Sequence, residues 1–109
     1  MKIVYNNYIP FRGFLCINLF GVLFVRKHLK SVLDDVTINH EAIHTAQMRE
    51  LAYVGFYVWY VLEWVFRLFQ YGFSKMAYRS ITFEKEAYAN EDNLNYLKER
   101  RHYNEFRKQ

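Results

Sequence analysis

The sequence predicts an α+β fold, with short N-terminal strands followed by three helical stretches. Three observations carry this. The run "FLCINLFGVLFV", from Phe14 to Val25, is aromatic and β-branched and bounded by glycines, which suits one or two strands better than a helix. "INHEAIHTAQMREL" and "YVGFYVWYVLEWVFRLFQY" are long enough to form two helices in succession. "FEKEAYANEDNLNYLKERR" reads as a third helix, rich in strong helix formers.

The elements follow in order. Gly13 and Gly21 punctuate the strand region, and Pro10 keeps the stretch before it extended or turning. The charged "RKHLK" at 26–30 ends the strands, and a short linker leads to Asp34 and Asp35. The first helix is expected to start near Thr37, a residue suited to an N-cap after two acids. Gly55 is the expected bend before the second helix, which should end near Gly72. The third helix should begin near Ser80 or Thr82 and run on through the arginines at 100 and 101.

At 109 residues the chain is expected to form a single domain spanning 1–109. Apolar residues make up 52% of it, which excludes a disordered chain, and aromatic residues make up 20%. Rings at that density fill a core or line a membrane surface. The net charge is +4, with much of the excess in "KERRHYNEFRK". Acids are interleaved there and no nucleic-acid-binding signature is present, so a basic solvated end is the reading and no nucleic-acid partner is expected. Cys16 is the one cysteine and cannot form an intrachain disulfide. The start "MKIVYNNYIPFRGFL" is a poor signal peptide, because its apolar run begins only after Arg12 and no small-residue cleavage site follows. A cytoplasmic chain is expected, with membrane association as the alternative.

That alternative rests on residues 51–71. The uncharged run from Leu51 to Leu62 falls well short of the roughly 20 residues that a bilayer requires. Glu63 and Arg67 then sit at a spacing that favours pairing along one helix face. A buried core helix is expected, and a helix lying in a membrane interface is the second reading. Nothing in the sequence fixes an oligomeric state.

The chemistry is concentrated in "HEAIH", residues 40–44. Helical positions four apart lie about 40° apart and one turn up, so His40 and His44 can reach one ion. Zinc favours nitrogen and carboxylate ligands, and a catalytic site keeps one position open for water. Glu41 lies at the edge of the same face, within reach of that water without binding the ion. A chain with four histidines meets this pattern by chance only rarely. A third ligand is needed. Glu50 lies about 80° off the His40 direction and more than two turns away, with Gln47 continuing the helix between them, and is rejected. Glu84, on the inner face of the third helix, can complete the site as that helix crosses the first. Ala87 on the same face is small enough for close approach. Glu86 lies about 200° from Glu84 around the helix and is expected to meet solvent.

The pairing of "HEAIH" with "EKEA" about forty residues later resembles the gluzincin zinc metallopeptidases, and its small size is similar to the minigluzincins. The resemblance covers about residues 14–95. It implies a zincin-like minimal catalytic core, a Zn2+ ion held by His40, His44 and Glu84, and Glu41 as general base and acid. Many gluzincins place an aspartate after the second motif to orient a zinc-binding histidine, and this chain has Tyr88, a weaker partner for an imidazole N–H. The oxyanion of peptide hydrolysis needs a donor, for which Tyr78, Tyr88 and Arg79 are the candidates. An extended peptide or protein substrate is expected beside an edge strand within Gly21–Arg26. His28 and His102 read as solvated residues, with a fourth-ligand role for His102 as the lesser option. The alternative to an enzyme is a non-catalytic zinc-binding helical protein peripheral to a membrane.

Overall fold

The computed structural model describes residues 1–11 and 14–106; Gly13, and Arg107 and Lys108 of the basic stretch, lie outside them. Strands β1 (Lys2–Asn6), β2 (Cys16–Leu19) and β3 (Val22–Arg26) form one sheet in the order β1-β3-β2. A 3-10 helix over Lys27–Val32 leads to α1 (Asp35–Glu50). The helices α2 (Val54–Tyr71), α3 (Lys75–Arg79), α4 (Thr82–Asn90) and α5 (Tyr96–Glu99) follow, and a 3-10 turn over Asn104–Phe106 closes the described chain. The fold is α+β, as the sequence predicts.

Of the one or two strands expected within 14–25, two are present, the second running on to Arg26. Leu19 pairs with Val22 across a two-residue turn, Phe20-Gly21, in which both residues have positive φ. That is the geometry a tight hairpin demands, and glycine adopts it without strain. A Cβ at residue 21 would also sit 3.2 Å from the Thr45 methyl, so the turn rests directly on α1. β1 was not foreseen. It pairs in parallel with β3, Lys2 opposite Val22 through Asn6 opposite Arg26. β3 is therefore the central strand, and the expectation that Gly21–Arg26 offers an open edge is corrected. On the cleft side the outer strand is β2.

α1 begins two residues before the expected start. Asp34, not Thr37, is the N-cap, and its carboxylate accepts from the Thr37 N–H at 2.8 Å. The helix ends where Ala52 and Tyr53 both take positive φ. The bend thus precedes Gly55, which lies in the first turn of α2. α2 ends at Gly72, as expected.

The first turn of α4 is capped from another helix. Glu63 of α2 accepts from both the Thr82 N–H (3.0 Å) and its hydroxyl (2.8 Å), and pairs with Arg67 at 3.2 Å. The third helical stretch is broken, not continuous. The chain leaves α4 after Asn90, and Asn39 of α1 donates to the carbonyls of Asn90, Glu91 and Asn93. One buried amide, adjacent to His40, thereby satisfies the last carbonyls of α4.

Met48, Phe56, Ile81 and Phe83 form the main apolar cluster, and Ile43, Ala87 and Tyr96 a second between α1, α4 and α5. Ala87 is fully buried at the α1–α4 crossing, the role expected of it. Truncating a fully buried ring such as Phe83 would cost about 3–5 kcal/mol. α2 does not behave as the expected core helix: Phe56 is its one buried residue.

Candidate metal centre

α1 and α4 cross with their polar faces together. His40 and His44 share one face of α1, as four-residue spacing requires, and both are buried. Glu84, in the first turn of α4, is 2% exposed. Its Oε1 lies 3.1 Å from His40 Nε2 and 3.0 Å from His44 Nε2, and the two Nε2 atoms are 3.2 Å apart. All three candidate ligand atoms lie within 4.8 Å of one another. The residues expected from the sequence to hold a metal are thus brought to one point from helices forty residues apart in the chain.

The far side of each imidazole is also held. His44 Nδ1 donates to Gln47 Oε1 at 2.8 Å. The amide of Gln47 is fixed in turn, because its Nε2 donates to the Phe83 carbonyl (3.0 Å) and to Glu86 Oε1 (2.9 Å). That fixes one His44 proton on Nδ1 and leaves Nε2 toward Glu84, where either a second proton or an ion would sit. His40 Nδ1 faces Glu91 Oε2 at 3.4 Å, and Asn39 pins the backbone that carries Glu91.

Tyr88 stands beside His40 through its ring. Its ring packs edge-to-face against His40, with centroids 4.6 Å apart, and carries the Arg79 guanidinium on its face at 4.1 Å. Glu91, seven residues beyond Glu84, supplies the carboxylate that the chain lacks at position 88. Of the three oxyanion candidates Tyr78 lines the cleft, with the Tyr88 ring centroid 6.2 Å from its own.

The cleft beside the three candidate ligands has a volume of about 310 Å³. Glu41, His44, Glu84, Tyr60 and Tyr78 line its polar end, and Met48, Phe56, Tyr57 and β2 its apolar walls. Burial raises the Glu41 carboxyl above its ordinary value, with His44 and His40 opposing. Burial alone would raise Glu84 too, but charge on His44 and hydrogen bonds from His40, His44 and Tyr60 hold it well below the usual carboxylate range. His44 is the mirror case: burial would depress it, yet the Glu84 carboxylate raises it to about 9. Without an ion, a proton on His44 supplies the positive charge that the cluster requires.

Tyr60 was not foreseen. Its hydroxyl donates to Glu84 Oε2 at 2.7 Å, leaving Oε1 toward the histidines. Burial and the Glu84 charge push the Tyr60 and Tyr78 phenols up, so both keep their protons and act as donors. No spacing rule links Tyr60 to Glu84; the contact exists because α2 packs across α4.

Glu86 does not meet solvent, and that expectation is overturned. It is fully buried and forked onto Arg100, whose Nε and Nη2 donate at 2.6 and 3.0 Å. Tyr96 adds a further donor at 2.5 Å, beside that of Gln47. Glu50, rejected as a ligand, sits on the same arginine at 2.9 Å. His102 is exposed and lies 3.3 Å from Glu50, away from the metal ligands, and His28 is exposed as expected. Burial pushes the Cys16 thiol up to about 11, the behaviour of an inert packed thiol.

No protein-family model, no curated protein and no solved structure matches the chain.

Proposed function

We propose that the protein is a zinc-dependent metallopeptidase with a compact, zincin-like core, in which His40, His44 and Glu84 hold the ion. The observation that carries this reading is the convergence of His40 Nε2, His44 Nε2 and Glu84 Oε1 within 4.8 Å, with Glu41 beside them at the wall of an open cleft. Two imidazoles and one carboxylate are a donor set that zinc accepts, and their outer partners, Gln47, Glu91 and Tyr60, already orient them. When bound, the ion would act as a Lewis acid toward a peptide carbonyl and lower the pKa of water.

The chain's own residues divide the remaining work. Glu41, held in the cleft with a raised pKa, takes the proton of the attacking water and delivers it to the leaving amine. Tyr78 keeps its proton and donates to the oxyanion. β2, the outer strand on the cleft side, guides an extended peptide. The Tyr57 hydroxyl already donates to the Asn18 carbonyl at 3.1 Å and accepts from the Phe20 N–H at 3.0 Å, so the Cys16 end of the strand is the part that receives substrate backbone. The apolar walls favour an aliphatic or aromatic substrate side chain.

The test is Glu41→Gln in the zinc-loaded protein, assayed against a broad peptide library. Expected is retention of zinc and loss of hydrolysis by roughly 10²–10⁴-fold. A wild type that binds zinc and cleaves nothing would favour the alternative, a zinc-binding protein without catalysis. A wild type that refuses zinc on titration would end both readings.

A further inference from the structure

α2 has its polarity inside out. Its charged residues, Glu63 and Arg67, are turned toward the protein, where Glu63 caps α4 and holds Arg67. The opposite face carries Val54, Val58, Val61, Leu62, Val65 and Phe69, all exposed. Those positions recur at helical spacing and form one uninterrupted stripe along an 18-residue helix. The stripe runs on past the helix end to Phe73, which is 91% exposed. Isolated exposed apolar residues need no explanation, but a continuous face of this length does.

The charge around the face selects the occupant. From Leu51 to Phe83 the only acid is Glu63, already taken by Thr82 and Arg67. Lys75 and Arg79 follow the stripe and are both exposed. An apolar face bordered by exposed Lys75 and by Arg79, whose guanidinium lies over the Tyr88 ring, is complementary to lipid tails below anionic headgroups. Among the described residues no helix is long and apolar enough to cross a membrane, so the geometry is that of a helix lying in the interface plane.

We propose that the outer face of α2, extended by Phe73 and edged by Lys75 and Arg79, docks on an anionic lipid bilayer. Tyr60 and Tyr78 line both the metal cleft and the apolar groove between α2 and α3, which also holds Trp64, Leu68 and Phe73. Docking therefore sets the metal cleft at the border of the bilayer. If the metallopeptidase reading holds, the substrates it favours are polypeptide segments that lie at a membrane surface.

Both tryptophans of the chain are on α2, Trp59 against Glu63 and Phe106 and Trp64 in the groove with Leu68 and Phe73, so Trp64 is the indole whose emission reports docking. The full chain is mixed with vesicles of phosphatidylcholine, with and without phosphatidylglycerol. Expected are co-sedimentation and a blue-shifted emission with the anionic vesicles, equal for metal-free and zinc-loaded protein. Val65→Asp with Phe69→Asp should weaken binding by roughly tenfold or more per side chain, with circular dichroism unchanged. Lys75→Glu with Arg79→Glu should weaken it by roughly tenfold or more through the headgroups. The proposal is overturned if the wild type stays in the supernatant with unshifted emission, or if the Val65/Phe69 variant binds as the wild type does. Equal binding to neutral and anionic vesicles would remove the role of the cations. A vesicle-independent dimer that hides both tryptophans would assign the face to a second copy. None of these readouts uses hydrolysis, so failure here and failure of the metallopeptidase reading are separate results.

Discussion

α4 carries two buried glutamates two residues apart, and they sit in two different clusters built on the same pair of helices. Glu84 faces His40 and His44 and opens on a cleft. Glu86 faces Arg100, with Glu50 and Glu105 on the same guanidinium. The difference is the source of positive charge. Arg100 is a fixed cation on a rigid fork, held charged by its carboxylates. The first cluster has only imidazoles, whose charge depends on a proton that an ion can replace. A carboxylate with a permanent counter-ion ties α1, α4 and the C-terminal turns together. A carboxylate beside deprotonatable nitrogens and an opening is available for chemistry. Gln47 touches both, accepting from His44 and donating to Glu86.

The most severe test of that division is Arg100→Ala. It leaves Glu50, Glu86 and Glu105 buried together without their cation. The expected loss is about 3–5 kcal/mol, read from urea denaturation. Glu84→Gln, by contrast, should cost less, because His44 can release its proton when its counter-charge is gone, and should abolish zinc binding. If the two variants lose similar stability, the clusters do not differ in kind.

A smaller effect falls on the bridge. Gln47→Met keeps the side-chain length but removes the acceptor on His44 Nδ1. Zinc affinity, measured by competition with a chelator, should fall roughly 10–100-fold. Glu91→Gln should cost less, because its contact with His40 is longer, 3.4 Å against 2.8 Å. The opposite order would make Glu91 the main orienting group.

What was legible in the sequence follows the same line. The cluster of His40, His44 and Glu84 was legible because helical periodicity places the two histidines on one face, and because a second helix must supply the third donor. The strands within 14–25 were legible from composition. β1 was not, because "KIVYN" is short and its parallel partner lies twenty residues on. Glu86 was misplaced by an argument from its own helix. Its 200° offset from Glu84 is real, but the face it occupies is covered by Arg100 and Tyr96, which return from further along the chain. The edge strand was misassigned for the same reason: β3 has partners on both sides, and only β1 reveals the second. α2 was misread because length and hydropathy cannot tell a helix packed in a core from one whose apolar face has no protein against it.

The finest test concerns pH, within the Arg100 cluster. Glu105 has one oxygen on Arg100, while its Oε1 is buried without a partner. Burial pushes its carboxyl up to about 7 from an ordinary value of 4.5, with Glu50 and Glu86 adding to the rise and Arg100 opposing it. A carboxyl raised in the folded state binds its proton more tightly folded than unfolded. Its contribution to stability is therefore fully present below pH 4.5 and is lost as pH rises through 7. Glu50, lowered in the fold, is ionised in both states across that window and does not mask the effect. His44 also loses stability as pH rises, but toward its own value of about 9 and identically in a Glu105 variant. Urea midpoints measured at about pH 5 and about pH 8 should then fall further for the wild type than for Glu105→Gln, whose amide carries no charge to bury. Equal slopes would mean that Glu105 keeps an ordinary pKa, and that one arginine suffices for three carboxylates.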